Sequence, residues 1–332
     1  MNLREVATRA GVSHMTVSRV IRRPESVAEA TRQRVLETIE TLGYVPNLAA
    51  RDLAQGASSF VGMVVSSIQN VFFAATVEGL VAGLDELGLQ VMLGNAEFSD
   101  EREARLVRGF VARRPAAVVL MGTHHLPETV RTLKRSRVPV IETWDLTVSP
   151  IGACVGFDNV EVGRCAARHL HNVGGRRLAV VGSDTPRNRK RITGFLSEAG
   201  RLDVAWARHV DLPGGNAVQT GRQALRGLMA APPKDRPDSV FYVSDTPALG
   251  GLLEALDLGL RVPDDLAIMG FGDHPMAAEL TPSLTTIAGP SGAMGREAAG
   301  LIARALSGEE ISGMRRDLGF SLVARSSTAR TA

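Results

Sequence analysis

From Phe60 onward the chain alternates short, continuous apolar runs with longer amphipathic or Ala-rich stretches, and that alternation leaves few folds open. The runs cover residues 60–68, 89–95, 116–121, 138–142, 154–157, 178–182, 239–243 and 266–271. Helical stretches at 74–87, 100–113, 160–172 and 247–258 lie between them. A strand that is apolar on both faces belongs in a parallel sheet covered by helices on both sides. Eight such strands overfill one small sheet. Two doubly wound subdomains side by side accommodate them, with a ligand cleft near the carboxyl ends of the strands. Aromatics make up only 4% of the 332 residues, so Ala, Val, Leu and Ile must build the cores.

The first 60 residues hold no strand-like run. Leu3, Val6, Ala7 and Ala10 recur at i, i+3, i+4 and i+7 and mark one apolar helix face. Gly11 suits a left-handed helix stop, and Ser13 suits the N-cap of a second helix. In that helix Val17, Val20 and Ile21 turn inward, leaving His14, Met15, Ser18, Arg19 and Arg22 outward. A third helix carries Val35, Leu36, Ile39 and Leu42 as its apolar positions and ends at Gly43. Three short helices with a glycine turn between the first two form a helix-turn-helix domain.

Charge is distributed accordingly. Residues 1–24 carry Arg4, Arg9, Arg19, Arg22 and Arg23 against Glu5 alone, a balance of +4 in a chain of net charge +3. A basic head on a nearly neutral body is the footprint of a nucleic-acid binder. Arg, Ser and Thr on the outward face of the second helix are groups that read base edges and phosphates. Beyond it, Tyr44-Val45-Pro46-Asn47 breaks the chain, and residues 48–54 can form one short helix. That is below the ~12 residues that sustain a helix in water, so this segment folds only when something buries it.

Other classes are excluded. No apolar run approaches the ~18 residues of a membrane span. The charged start MNLREVATRAG is no secretory signal. Cys154 and Cys165 have no partners at metal-ligand spacing. The expectation is a reduced, cytoplasmic protein without metal or cofactor. G-x-G-x-x-G, P-loop, H-E-x-x-H and G-x-S-x-G motifs are all missing, which argues against an enzyme.

Several segments resemble a known family when taken together. VATRAGVSHMTVSRVIRRPESV, GYVPNLAARDLA, DNVEVGRCAARHLHNVGGRRLAVVG, GLRVPDDLAIMGFGD and LTTI resemble the LacI/GalR family of bacterial transcription regulators, over essentially the whole chain. Within it, HMTVSRVIRRPE, VGFDN and DLGFSL are most similar to the gluconate-utilisation repressors. The resemblance implies an all-α helix-turn-helix domain at 1–46 and a hinge helix with linker at 47–59. It implies an α/β, periplasmic-binding-protein-like body at 60–332, of two doubly wound subdomains at about 60–158 with 291–318 and about 159–290 with 319–332. His14, Met15, Thr16, Ser18, Arg19 and Arg22 would enter the major groove of a near-palindromic operator bound by a homodimer. Asn47 and Ala50 would belong to the hinge helix, and Leu53 would wedge into the minor groove and kink the duplex. Two positions depart from the family. Ala28 stands where a capping Ser is common, with Ser26 as the candidate substitute, and Asp52 brings negative charge into the hinge.

The same resemblance lines an effector cleft with Phe72, Phe73, Glu142, Trp144, Asp145, Arg187, Arg191, Ser244 and Asp273. Gly272 occupies the place where an effector-binding Asp often stands, leaving Asp273 as the adjacent acid. His125 lies beside His124 in a loop, where a histidine is more often solvated than in contact with a ligand. Arg187-Asn188-Arg189-Lys190-Arg191 puts four cations into one strand-to-helix connection, with Arg189 and Lys190 read as solvated. A guanidinium fork matches a carboxylate in a way a neutral sugar cannot exploit. The expected function is a repressor of sugar-acid catabolism genes, released from its operator by a gluconate-type effector. The alternative is a repressor or activator answering to a neutral or phosphorylated sugar. A periplasmic sugar-binding protein would share the body, but the fused helix-turn-helix decides against it.

Overall fold

The structure, a computed structural model, describes residues 2–44, 59–212 and 217–330 and divides into two units, Met1–Ser59 and Phe60–Ala332. The first unit contains α1 (Leu3–Ala10), α2 (His14–Arg22) and α3 (Glu29–Leu42). Asn2 and Glu5 form a capping box: Asn2 Oδ1 accepts the Glu5 N–H at 3.1 Å, and Glu5 Oε2 accepts the Asn2 N–H at 3.3 Å. Gly11 ends α1 at a φ of 65°, and Ser13 Oγ caps α2 by accepting the Thr16 N–H at 3.1 Å. Val6, Ala7, Ala10, Val17, Val20 and Val35 close a small core. Ser26 is not the cap of α3. Its hydroxyl donates to the Arg23 carbonyl at 2.7 Å and closes the turn Pro24–Ser26, so Ala28 stands at the N-cap with no side-chain bond. Leu36 is 45% exposed. It sits one residue, about 100°, round the helix from buried Val35.

In the body, β1 (Phe60–Val65), β2 (Gln90–Asn95), β3 (Ala117–Met121), β4 (Val140–Thr143) and β5 (Ala153–Gly156) alternate with α4 (Val71–Asp85), α5 (Asp100–Ala112) and α6 (Pro127–Ser136). After α7 (Asn159–Asn172) come β6 (Arg177–Gly182), α8 (Pro186–Ala199), β7 (Trp206–Asp211), α9 (Val218–Met229) and β8 (Ser239–Tyr242). Next are α10 (Asp245–Asp257), β9 (Ala267–Phe271), α11 (Met276–Glu279), β10 (Thr285–Ala288) and α12 (Ser291–Leu306). The chain ends on two short strands, β11 (Arg315–Asp317) and β12 (Ser321–Val323).

These strands form two six-stranded sheets, ordered β2-β1-β3-β4-β5-β11 and β7-β6-β8-β9-β10-β12. Every pairing is parallel except β10 with β12. The order places β1 and β6 one in from an edge, with later strands on one side and β2 or β7 on the other. The doubly wound, two-subdomain α/β body inferred from the apolar runs is therefore what the chain adopts. Strands β7, β10, β11 and β12 were not among the runs. Edge strand β7 is half-exposed and polar, and β11 and β12 are three residues each, so neither shows a continuous apolar stretch.

Helices α7 and α8 pack backbone to backbone. A Cβ on Gly163 would lie 1.9 Å from the Arg191 carbonyl oxygen, and one on Gly194 would lie 2.0 Å from that of Val160. A helical glycine costs about 1 kcal/mol against alanine. Here the cost purchases the close approach that carries the N-terminal half of α8 into the cleft between the sheets.

Candidate functional site

Pro186 at the first position of α8 fits a helix start because its missing N–H and fixed φ are free there. The helix therefore begins before Arg187, whereas the sequence suggested a connecting loop. Arg187 and Arg191, four residues apart, lie on one helix face. The positive end of the helix adds to their charge.

Both guanidiniums enter an aromatic chamber of about 30 Å³ lined by Phe72, Phe73, Phe98, Trp144, Phe271 and the polar Asn70, Thr185, Asn188 and Ser244. Arg191 lies over the Phe271 ring at 3.5 Å from its centroid, and Arg187 faces the Phe73 ring at 5.5 Å. Phe98, Thr185 and Arg187 also line an outer cavity of about 280 Å³ with Ser66, Ser99, Asp100, Glu103, Thr123 and Asp145. The lining residues follow the carboxyl ends of β1, β2, β3, β4, β6, β8 and β9, so both sheets contribute.

The two arginines differ in what satisfies them. Arg191 donates from Nε to Asn159 Oδ1 at 2.8 Å and from Nη1 to the Val243 carbonyl at 2.9 Å. Arg187 donates from Nη2 to Ser66 Oγ at 3.1 Å, while its enclosed Nη1 has no hydrogen-bond partner. Burial lowers Arg187 to about pKa 10 and Arg191 to about 9, the latter also pushed down by Arg187. Asp145, the carboxylate felt by both, is already bound by Lys190, Thr123 and Asn159. Lys190 is thus an internal partner rather than a solvated cation.

Trp144 adopts a φ of 69°, a conformation that costs a bulky residue about 1–3 kcal/mol and persists only where neighbours enforce it. They do so here. Its N–H meets the Val155 carbonyl at 3.1 Å, its Nε1 donates to Thr76 Oγ1 at 3.1 Å, and its carbonyl accepts from Asn159 Nδ2 at 3.0 Å. The ring then stands edge-on to Phe73, 5.1 Å between centroids.

Two expected cleft residues lie elsewhere. Glu142 is buried at 1% exposure, where Oε2 accepts the Ile151 N–H at 2.6 Å and Oε1 faces His125. Asp273 is ion-paired with Arg325 at 2.7 Å and lines neither cavity. At neighbouring Gly272 the φ is 129°, and a Cβ would meet the Phe72 ring at 2.4 Å. Phe72 thus fills the space beside the position where the family often carries an acid. The remaining seven expected residues, Phe72, Phe73, Trp144, Asp145, Arg187, Arg191 and Ser244, line the two cavities.

Sequence reasoning missed a buried histidine. The His125 side chain is 1% exposed, with Nδ1 2.6 Å from Glu103 Oε1 and Nε2 3.4 Å from Glu142 Oε1. Burial alone would lower its pKa, but the hydrogen bond to Glu103 and the nearby negative charges of Glu103 and Glu142 outweigh that and raise it to about 9. Only the periodicity of Glu103 on the inner face of α5 hinted at a buried partner.

In the helix-turn-helix unit, His14, Met15 and Arg19 are exposed on α2, while Thr16 and Ser18 are half-buried. Thr16 Oγ1 lies 2.9 Å from the Ser13 cap hydroxyl. The Arg22 side chain, and all of Asn47, Ala50, Asp52 and Leu53, fall outside the described residues.

A helix-turn-helix unit joined to a two-lobed, periplasmic-binding-like body defines a DNA-binding regulator. The model of bacterial regulatory proteins of the lacI family matches residues 2–47, and that of the periplasmic binding protein-like domain matches residues 167–328. The chain is 38% identical over 330 residues to the HTH-type transcriptional regulator GntR of Pseudomonas aeruginosa, covering 98% of this chain and 95% of that protein. It is 30% identical to GntR of Escherichia coli over 321 residues, 96% of each. A LacI-family regulator from Silicibacter pomeroyi superposes with a TM-score of 0.90 at 30% identity, over 99% of this chain and 100% of that one. The chain belongs to the LacI family of bacterial transcriptional regulators and is not an enzyme. Among the described residues no helix is long and apolar enough to cross a membrane.

The His125 pair predicts a pH signature. A folded pKa near 9 against 6.5 unfolded gives stability that is full below about pH 6.5 and lost as pH rises through 9, on the order of 3 kcal/mol. Urea midpoints at about pH 6 and pH 9.5 should fall more for wild type than for His125→Gln; equal falls would contradict the assignment.

Proposed function

We propose that the protein represses sugar-acid catabolism genes in the cytoplasm and leaves its operator when a small sugar acid, gluconate or a close relative, enters the cleft. The observation that carries this is the enclosed, unpartnered Nη1 of Arg187 beside Arg191, with Asp145, the carboxylate felt by both, already bound. A buried charge left unpaired costs several kcal/mol, and a carboxylate relieves that cost where a neutral hydroxyl does not. The outer cavity supplies acceptors for polyol hydroxyls, and the aromatic walls face a carbon chain. The resemblance to gluconate-utilisation repressors supports the same reading.

A homodimer on a near-palindromic site follows from the short reach of one recognition helix, since two copies double the bases read. Apolar Met92 and Leu93 on edge strand β2, and Leu253 and Leu256 on α10, remain 41–49% exposed and offer apolar surface on both subdomains to a second copy. Closing the lobes on the effector would change the spacing of the two hinge segments. Release then requires that the closed state bind operator less well, because only differential affinity moves the equilibrium.

Calorimetry should find gluconate bound in preference to glucose, with 2-ketogluconate and 6-phosphogluconate defining how much the tail and a second charge matter. Arg187→Ala should weaken gluconate binding by about 2–5 kcal/mol, the usual cost of truncating one partner of a buried charged pair. Preference for glucose, or unchanged binding by Arg187→Ala and Arg191→Ala, would sink the proposal.

On DNA, Leu53→Ala should weaken operator binding more than non-specific binding, because it removes the wedge. Arg19→Ala should cost roughly 1–3 kcal/mol and relax specificity if it forks onto a base. Wild-type operator affinity for Leu53→Ala at the same salt would refute the hinge assignment.

A further inference from the structure

Glu103 and Arg187 line the same outer cavity, and the charge of Glu103 is felt at Arg187. In a low-dielectric cavity a flexible glutamate is the natural partner for an arginine whose Nη1 is unsatisfied. An internal ion pair there would neutralise the anion seat. Instead, Glu103 turns to His125 Nδ1 at 2.6 Å. His125 is itself held in place. Its side chain is enclosed, and its other nitrogen faces Glu142 at 3.4 Å, which the Ile151 N–H anchors at 2.6 Å. The line Glu103–His125–Glu142–Ile151 runs from α5 through the loop after β3 to β4 and the segment before β5.

We propose that His125 is a positioning residue that holds Glu103 away from Arg187, keeping the arginine seat open for the carboxylate of the ligand. Asp145 is restrained in the same manner, by Lys190 and Asn159. The two acids whose charge reaches Arg187, Asp145 and Glu103, thus each have a dedicated holder, and the pair keeps its positive charge for an incoming anion. Because Arg187 stays in place, His125 acts on affinity through Glu103 and needs no contact with the ligand. Without His125, a ligand must displace a tethered carboxylate, whose effective concentration far exceeds that of a free acid. This role rests on the proposal that the effector is a carboxylate.

The test is gluconate calorimetry on the full chain and three variants. His125→Gln should bind at least about tenfold more weakly, a loss expected when an intramolecular competitor is released. Glu103→Gln should bind at least as tightly as wild type, and the double variant should bind like Glu103→Gln, because His125 has nothing left to act through. Rescue of this kind is not expected of a histidine that only supports the fold. Unchanged binding by His125→Gln, or a double variant as weak as His125→Gln, overturns the proposal. Weakened binding by Glu103→Gln alone also overturns it, because Glu103 would then be holding the ligand, and this arm stands even if His125→Gln does not fold. A ligand-free crystal structure of His125→Gln separates the two levels of inference. Glu103 found on Arg187 Nη1 supports the role of His125 even if wild type ignores gluconate, whereas Glu103 left in place refutes it.

Discussion

Two guanidiniums brought together in an apolar cleft, one with a donor that meets nothing, are the constraint around which the body of this protein is built. Burial strips hydration from both and lowers both pKa values, and at Arg191 the charge of Arg187 lowers it further. The fold offsets the loss at Arg191 with Asn159, the Val243 carbonyl and the Phe271 ring. At Arg187 the offset is incomplete. A buried charge left short of partners in a folded protein is a place to look for a ligand.

The surrounding architecture serves that placement. Gly163 and Gly194 let α7 and α8 touch through their backbones, and α8 starts at Pro186 so that its first two turns face the cleft. Trp144 is held at positive φ by bonds to Val155, Thr76 and Asn159, which brings an aromatic wall and the Asp145 carboxylate to the same end of β4. Asn159 joins the systems, donating to Asp145 and accepting from Arg191. Packing, backbone strain and charge are therefore coupled at one point.

Much of this was legible in the sequence, and the failures have physical causes. The apolar runs revealed eight of the sheet strands because parallel strands covered on both faces leave no polar alternation, and edge strand β2, though largely exposed, carries the apolar Val91, Met92 and Leu93. Edge strand β7, with residues such as Arg208 and His209, carried no such signal. Gly11 and Ser13 marked the helix-turn-helix turn because a left-handed stop and an oxygen-bearing cap are local requirements. Ser26 misled because a serine near a helix start can bond backward as readily as forward. For charged groups, residue type revealed what each could do but not which partner would claim it. Glu142 is spent on Ile151 and His125, Asp273 on Arg325, and Lys190 on Asp145. His125 looked solvated because its partners, Glu103 and Glu142, come from distant parts of the chain.

The central claim is that the arginine pair awaits a carboxylate, with the rest of the ligand lying outward. A crystal structure of the protein with gluconate tests it most directly. The carboxylate should lie about 3 Å from Arg187 Nη1, within hydrogen-bond range, with the hydroxylated chain directed past Thr185 into the outer cavity. A gluconate bound with its carboxylate outward and hydroxyls against the arginines, or bound away from this chamber, would contradict the account.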